Sequence, residues 1–383
     1  MRKNYRIVVW GTGSVGKVCL REVLDRPELE LVGVYGYNKS KIGKDAAEMV
    51  GRPSCGILIT QSIDDVIALK PDCVLWTAGF PIGKIAQRME DTVARILESG
   101  ANVVTCAGHH YPPAHGADYT MPLKAACSKG KSSLHGTGEN PGFFMERAAV
   151  TLCGCTNRVE RLVLNEYADV AKPGDKTDPS VMGFGLAPEQ LTREGPVAEV
   201  WRKYYFVETL NLTSLALFSR PLDSFEVTQD LVLADKDLEF STDNGEPIDF
   251  VVRKGTVIAQ TYRFQGYVDG DNRLTATTNW YLTEKHNPFH GKADCQWDIE
   301  IEGDPVSLSC SINAFASLKD RRLLHPGDPT TPAWFITGIT MVQAIPRVVA
   351  AAPGFVYASV FAHATPDLRS LENRDSIADT VVD

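Results

Sequence analysis

Residues 5–16 read Tyr-Arg-Ile-Val-Val-Trp-Gly-Thr-Gly-Ser-Val-Gly. Ile7 to Trp10 is an apolar run of the kind buried in a parallel strand, and Gly11, Gly13 and Gly16 follow at G-x-G-x-x-G spacing. Val15, Val18, Leu20, Val23 and Leu24 then supply the apolar positions of a helix. Strand, glycine turn and helix in that order give the motif its meaning. Gly11 permits a tight turn, Gly13 lets the backbone approach a pyrophosphate, and Gly16 lets the helix pack on the strand. Amide groups of the first helical turn and the positive helix end would hold the phosphates. Taken alone, the turn also fits an ordinary glycine-rich βα connection. What adds weight is the run of βα units that it opens.

That run continues with strands expected at Leu29–Tyr37, Gly56–Ile59, Cys73–Thr77 and Asn102–Thr105. Residues 83–98 place Ile85, Met89, Val93, Ile96 and Leu97 at helical spacing, with Gly100 at the end. A helix near 119–129 and a strand at Ser133–His135 follow. Such alternation implies a parallel sheet with helices on both faces. After about residue 155 the pattern changes. A strand is expected at 159–168, a long loop at 169–190 and a helix at 197–218. Consecutive strands then come at 225–233, 248–269, 273–284, 295–302 and 306–316. Residues 273–280 alternate as a sheet with one covered face does. Helical periodicity returns over 333–352, with a kink expected at Pro346.

The expected fold class is α/β: a Rossmann doubly wound parallel sheet with a second α+β domain built on a largely antiparallel sheet. The first domain would span 1–150 and be completed by 330–360. The second would take 151–329, leaving a polar tail at 361–383. A chain of 383 residues is long for one core. The net charge of −9 argues against nucleic acid as a partner. No apolar run was found that approaches the ~18 residues of a membrane span, and the N-terminus reads as the first strand rather than a secretory leader. Nine scattered cysteines fit reduced thiols in a cytoplasmic protein.

A carboxylate about 20 residues past the glycines would hold the ribose hydroxyls of NAD. Here the second strand leads into Asn38-Lys39-Ser40-Lys41. Those residues suit a 2′-phosphate, which favours NADP, with NAD the alternative. The cofactor set then comprises Gly11, Thr12, Gly13, Ser14, Val15, Gly16, Asn38, Lys39, Ser40, Lys41, Thr77, Ala78, Cys106, Ala107 and Asn140. The nicotinamide belongs beyond the fourth and fifth strands, where loops 77–81, 106–113 and 135–143 gather. His109 and His110 are candidate acid–base groups, or else shape the rim. Glu139 could anchor an ammonium, relay a proton or cap the next helix. Asn165, Glu166 and Tyr167 are weaker candidates, as is Tyr111, and Trp201, Tyr204 and Tyr205 form an aromatic cluster. His115, and His286 with His290, match no standard zinc pattern. Cys106 is the one candidate thiol nucleophile, for aldehyde chemistry.

The glycine turn, Asn-Val-Val-Thr-Cys-Ala-Gly-His-His-Tyr-Pro-Pro (102–113), His-Gly-Thr-Gly-Glu-Asn-Pro-Gly-Phe (135–143) and Met-Gly-Phe-Gly (182–185) resemble the dihydrodipicolinate reductase-like oxidoreductases. The likeness is nearest to the amine dehydrogenases among them, including 2,4-diaminopentanoate dehydrogenase. It covers residues 5–190 and resumes at 335–354. The resemblance implies a small-molecule substrate, reductive amination or its reverse, and a homodimer formed through the second domain. Two departures stand out. The histidine pair continues as Tyr-Pro-Pro rather than with the lysine and Pro-Ser-Gly-Thr of the reductase itself. The glutamate that follows strand five in amine dehydrogenases is replaced by Ala107 and Gly108. Ketone or alcohol oxidoreduction without ammonia, and a non-catalytic dinucleotide sensor, are the alternatives.

Overall fold

The computed structural model describes residues 4–78, 84–170, 182–193, 206–241, 247–315 and 331–358. The N-terminal βα units are β1 (Tyr5–Trp10), α1 (Ser14–Asp25), β2 (Leu29–Tyr35), β3 (Ile59–Thr60), α2 (Ile63–Ala68) and β4 (Cys73–Trp76). They continue with α3 (Lys84–Glu98), β5 (Asn102–Thr105), α4 (Ala117–Gly130) and β6 (Ser133–Gly136). The six strands are all parallel, in the order β6-β5-β4-β1-β2-β3. The chain winds outward from β1 in both directions, so β1 and β4 flank the switch point at which such sheets bind ligands.

Alternation along β1 divides its side chains between the two layers. Ile7 and Val9 join Cys19, Leu20 and Val23 of α1 on one face. Val8 and Trp10 join Val93, Ile96 and Leu97 of α3 and Leu123 of α4 on the other. A strand buried on both faces needs the continuous apolar run seen there.

A π-helix (Phe144–Ala149) and α5 (Val150–Cys153) lead into β7 (Arg158–Asp169), and later α6 (Pro188–Arg193) and α7 (Phe206–Phe218). β8 (Ser224–Leu233), β9 (Leu238–Ser241), β10 (Pro247–Val252), β11 (Val257–Val268), β12 (Asp271–Tyr281), β13 (Gln296–Asp304) and β14 (Leu308–Asn313) follow. Six strands form one sheet in the order β14-β13-β7-β12-β11-β8, while β9 and β10 pair separately.

The sheet is largely antiparallel, as expected, with one parallel seam between β7 and β12. The long connection between them, which includes α6 and α7 among the described residues, allows that pairing, which a hairpin could not. The single strand expected at 248–269 is two, split by a turn at Gly255 with φ of +82°. α6 begins inside the segment read as a loop. The aromatic cluster at 201–205 and the tail at 361–383 lie outside the described residues.

α8 (Pro332–Ala350) and β15 (Gly354–Phe355) return to the parallel sheet. β15 pairs with β6, and Met341, Ile345 and Val348 of α8 join the α1 face. Pro346 lies inside α8, which continues through it to Ala350. This helix corrects one sequence expectation, being long and apolar enough by composition to span a membrane, with mean hydropathy 1.3. Here it covers the sheet: a Cβ on Gly338 would lie 2.6 Å from Val18 of α1.

Candidate active site at the strand ends

The glycine turn is fixed by close packing. Gly11 has φ of +115°, and a Cβ there would lie 2.6 Å from Thr77 Oγ1. A Cβ on Gly16 would lie 2.2 Å from the Gly11 carbonyl. Thr77 seals the β1/β4 junction, donating its amide to Trp10 O at 2.8 Å. At the start of α1, Gly13 offers no side-chain cap, and the first turn carries no acidic residue. That is the chemistry of an anion cradle. Thr12 and Ser14 are buried and Val15 is half-buried.

Past β2, Asn38 Oδ1 accepts from Ser40 N at 2.9 Å and orders a short 3-10 turn, Lys39–Lys41. Asn38, Lys39 and Ser40 are exposed. Lys41 Nζ instead donates to Thr12 O at 2.8 Å, tying this loop to the glycine turn. Beneath lies an aromatic slab across three strands. Trp10 stacks on Tyr35 at 3.8 Å and on Trp76 at 4.9 Å. Ala78 is buried beside Thr77, while Gly79, Phe80 and Pro81 lie outside the described residues.

The loops after β5 and β6 are held together. Thr137 N donates to Thr105 O at 2.8 Å, and Thr105 Oγ1 accepts from Ala107 N at 2.9 Å. A Cβ on Gly136 would come within 2.4 Å of the His109 backbone. Three histidines line this region, each beside a carboxylate. His109 Nε2 lies 2.9 Å from Glu90 Oε2, whose other oxygen accepts from Tyr119. Burial lowers the His109 pKa, but Glu90 outweighs it and the net shift is upward.

His110 Nδ1 stands 3.3 Å from Glu146 Oε1, an ion-pair distance without hydrogen-bond alignment. Glu146 accepts from Gly142 N at 2.7 Å and from the Thr209 hydroxyl at 2.8 Å. Burial raises its pKa, and His110 and these donors overcome that. His115 Nε2 lies 2.6 Å from Glu208 Oε1, and Tyr111 N donates to Glu208 Oε2 at 2.8 Å. Burial opposes ionisation of Glu208, yet His115 holds its pKa down at about 2. Among the described residues no three ligating side chains converge as a metal site. Burial pushes the Cys106 thiol up to about 12, which removes it as a thiolate nucleophile at neutral pH.

Glu139 opens the turn after β6. Its carbonyl accepts from Phe143 N and Phe144 N at 3.0 Å each, so the backbone starts the π-helix. No side chain caps that helix, which corrects the capping alternative for Glu139. Its carboxyl group faces Glu166 of β7 within hydrogen-bond reach. Glu166 accepts from Asn140 Nδ2 at 2.7 Å, Trp280 Nε1 at 2.7 Å and Trp297 Nε1 at 3.3 Å. Asn140, assigned above to the cofactor, here serves this carboxylate. Glu139 Oε1 is shut off from solvent and has no partner. Burial, then Glu166, raises the Glu139 pKa well above the carboxylate range. Burial raises that of Glu166 less, because the indoles and Asn140 work against it.

The structure therefore brings His109, His110, Glu139 and Asn140 to neighbouring strand ends. Sequence reasoning ranked Glu166 low and missed Glu90, Glu146 and Glu208, along with Trp280 and Trp297. A signal existed for Glu166: it continues the inward face of Leu162 and Leu164, where an acid is out of place.

Comparison with known proteins bears out the resemblance. Residues 5–76 match the family model described as dihydrodipicolinate reductase, N-terminus. An amine dehydrogenase of Streptomyces virginiae is 31% identical over 168 residues, covering 42% of this chain and 45% of that protein. The chain thus matches less than half the length of that relative. The 2,4-diaminopentanoate dehydrogenase of Acetoanaerobium sticklandii is 22% identical over 279 residues, 71% of this chain and 74% of its own. The solved amine dehydrogenase from Mycobacterium smegmatis superposes with a TM-score of 0.72 at 19% identity, over 93% of this chain and 96% of that one. That likeness establishes the fold.

Proposed function

We propose that this chain is a nicotinamide-dinucleotide-dependent oxidoreductase acting on a C=N or C=O group, of the amine dehydrogenase type. The observation that carries the reading is the uncapped glycine turn at the β1/β4 switch point, next to loops that gather buried proton-carrying groups. Gly11, Gly13 and Gly16 would hold the pyrophosphate against the start of α1. When bound, the dinucleotide supplies or accepts the hydride. The residues around it orient the substrate, exclude water and supply a proton. The names of the relatives support the amine side of this reading.

NADP is the preferred dinucleotide, since exposed Lys39 and Ser40 follow β2 without a carboxylate. A homodimer through the polar outer face of the mixed sheet, and a reducing cytoplasmic setting for nine unpaired cysteines, complete the proposal.

The test combines calorimetric titration of NADPH and NADH with ketone reduction in the presence and absence of ammonium. Tight NADPH binding and ammonium-dependent oxidation of NADPH are expected. Reduction at a rate independent of ammonium makes it a ketone reductase. Binding without turnover makes it a sensor, and no binding overturns the proposal.

A further inference from the structure

Amination chemistry needs a group that can protonate a nitrogen and tolerate its positive charge. At the loop after β5, Ala107 and Gly108 provide no such side chain. The three imidazoles nearby are each matched to a carboxylate. Glu139 and Glu166 face each other instead, where the turn after β6 meets the inner face of the mixed sheet.

We propose that Glu139 and Glu166 form a carboxyl pair sharing one proton, and that Oε1 of Glu139 meets the nitrogen of an amine or imine substrate. The inference rests on the oxidoreductase reading above and names the group that handles its proton. The geometry divides the two roles. Glu166 receives three N–H donors from Asn140, Trp280 and Trp297, which is the environment of an ionised carboxylate. Glu139 is reached by fewer donors, the Asn140 amide and the Trp297 indole, and faces that charge, so the proton resides on Glu139. Its Oε1, buried and without a partner, is a polar atom that a ligand would satisfy. Like charges this close cannot both ionise readily, so the pair carries a single negative charge near neutral pH.

The proton balance is simple. Ammonia and a carbonyl condense to an imine, releasing water. The imine carbon gains a hydride from the reduced dinucleotide, and its nitrogen gains the proton of Glu139, giving a primary amine. Glu139 is left as a carboxylate and takes a proton back from water. Oxidation runs the same steps in reverse. The single negative charge suits a cationic or neutral nitrogen and repels a neighbouring substrate carboxylate. The substrate class is therefore a simple amine or its ketone, rather than an amino acid or its 2-oxo acid.

Infrared difference spectra between the full-length wild-type protein and Glu139→Gln, taken at neutral pH, test the shared proton without turnover. A protonated-carboxyl band lost in the variant is expected, and its absence from the wild type overturns the proposal. In kinetics, Glu139→Gln should lower kcat about 100-fold with unchanged NADPH affinity, and Glu139→Asp should restore part of it. Glu166→Gln should shift the pH profile of kcat. Wild-type turnover that survives Glu139→Gln with the same pH profile overturns the proposal while leaving the oxidoreductase reading intact. Failure of the wild type to bind either dinucleotide overturns both.

Discussion

Two sets of carboxylates gather near the same strand ends, and they are solved in opposite ways. Around β5, Glu90, Glu146 and Glu208 each face an imidazole. Each pair can balance its own charge, and Glu208 is held so firmly that its pKa falls to about 2. Across the gap between the turn after β6 and β7, Glu139 and Glu166 face each other, and the Glu139 pKa rises instead. The first arrangement fastens helices α3 and α7 to the loop after β5. The second leaves a proton in store beside an unsatisfied oxygen. Burial alone therefore does not distinguish a structural acid from a reactive one; the partner does.

The largest expected effect breaks a matched pair. Glu208→Gln leaves His115 and the Tyr111 amide around a neutral group, and should cost about 3–5 kcal/mol in urea unfolding. If it costs no more than Glu139→Gln, the distinction between the two sets fails.

The next effect is an acid limb on stability. His135 donates through Nδ1 to Val356 O at 2.5 Å, and burial lowers its pKa to about 4. A depressed histidine contributes fully above its unfolded value of about 6.5 and loses that contribution as pH falls toward the folded value. Glu208 adds a second loss from its unfolded value of about 4.3 downward. Each is on the order of 3 kcal/mol. Urea titrations from neutral pH downward should show the two losses in turn, and a flat profile would contradict the buried, unprotonated state of His135.

The smallest effect has the opposite sign. Because the Glu139 pKa is raised, its contribution is complete below about pH 4.3 and declines as pH rises through the folded value. Glu139→Gln should therefore lie within about 1 kcal/mol of wild type near pH 5 and gain on it at higher pH. A variant that becomes relatively less stable with rising pH would mean that Glu139 is ionised.

These two sets also differ in how visible they were in the chain. The glycine turn was legible because its function is local: Gly11, Gly13 and Gly16 are forced by backbone contacts within a few residues of themselves and Thr77. The parallel sheet was legible because its central strands β1 and β4 carry the apolar runs Ile7–Trp10 and Cys73–Trp76. Glu139 drew attention as an acid in a glycine turn, but its partner lies on β7 and the indoles that orient that partner lie on β12 and β13. No local period encodes such a meeting. The parallel β7–β12 seam escaped for the same reason, since consecutive strands suggest hairpins. Lys41 was read as a phosphate ligand, but the structure joins it to the Thr12 carbonyl, a contact that depends on how the loop after β2 folds back.

One feature of the fold bears on how the chain comes into being. The face of the parallel sheet carrying Ile7 and Val9 is covered partly by α8, whose Gly338 carbonyl lies 3.8 Å from Cys19 Sγ across 319 residues of sequence. During synthesis on the ribosome the first six strands emerge long before that helix does. The nascent N-terminal half must wait with part of its apolar face uncovered, and its completion is tied to the arrival of residues 332–355. A ribosome stalled short of α8 would thus hold a half-clothed sheet, a natural client for chaperones.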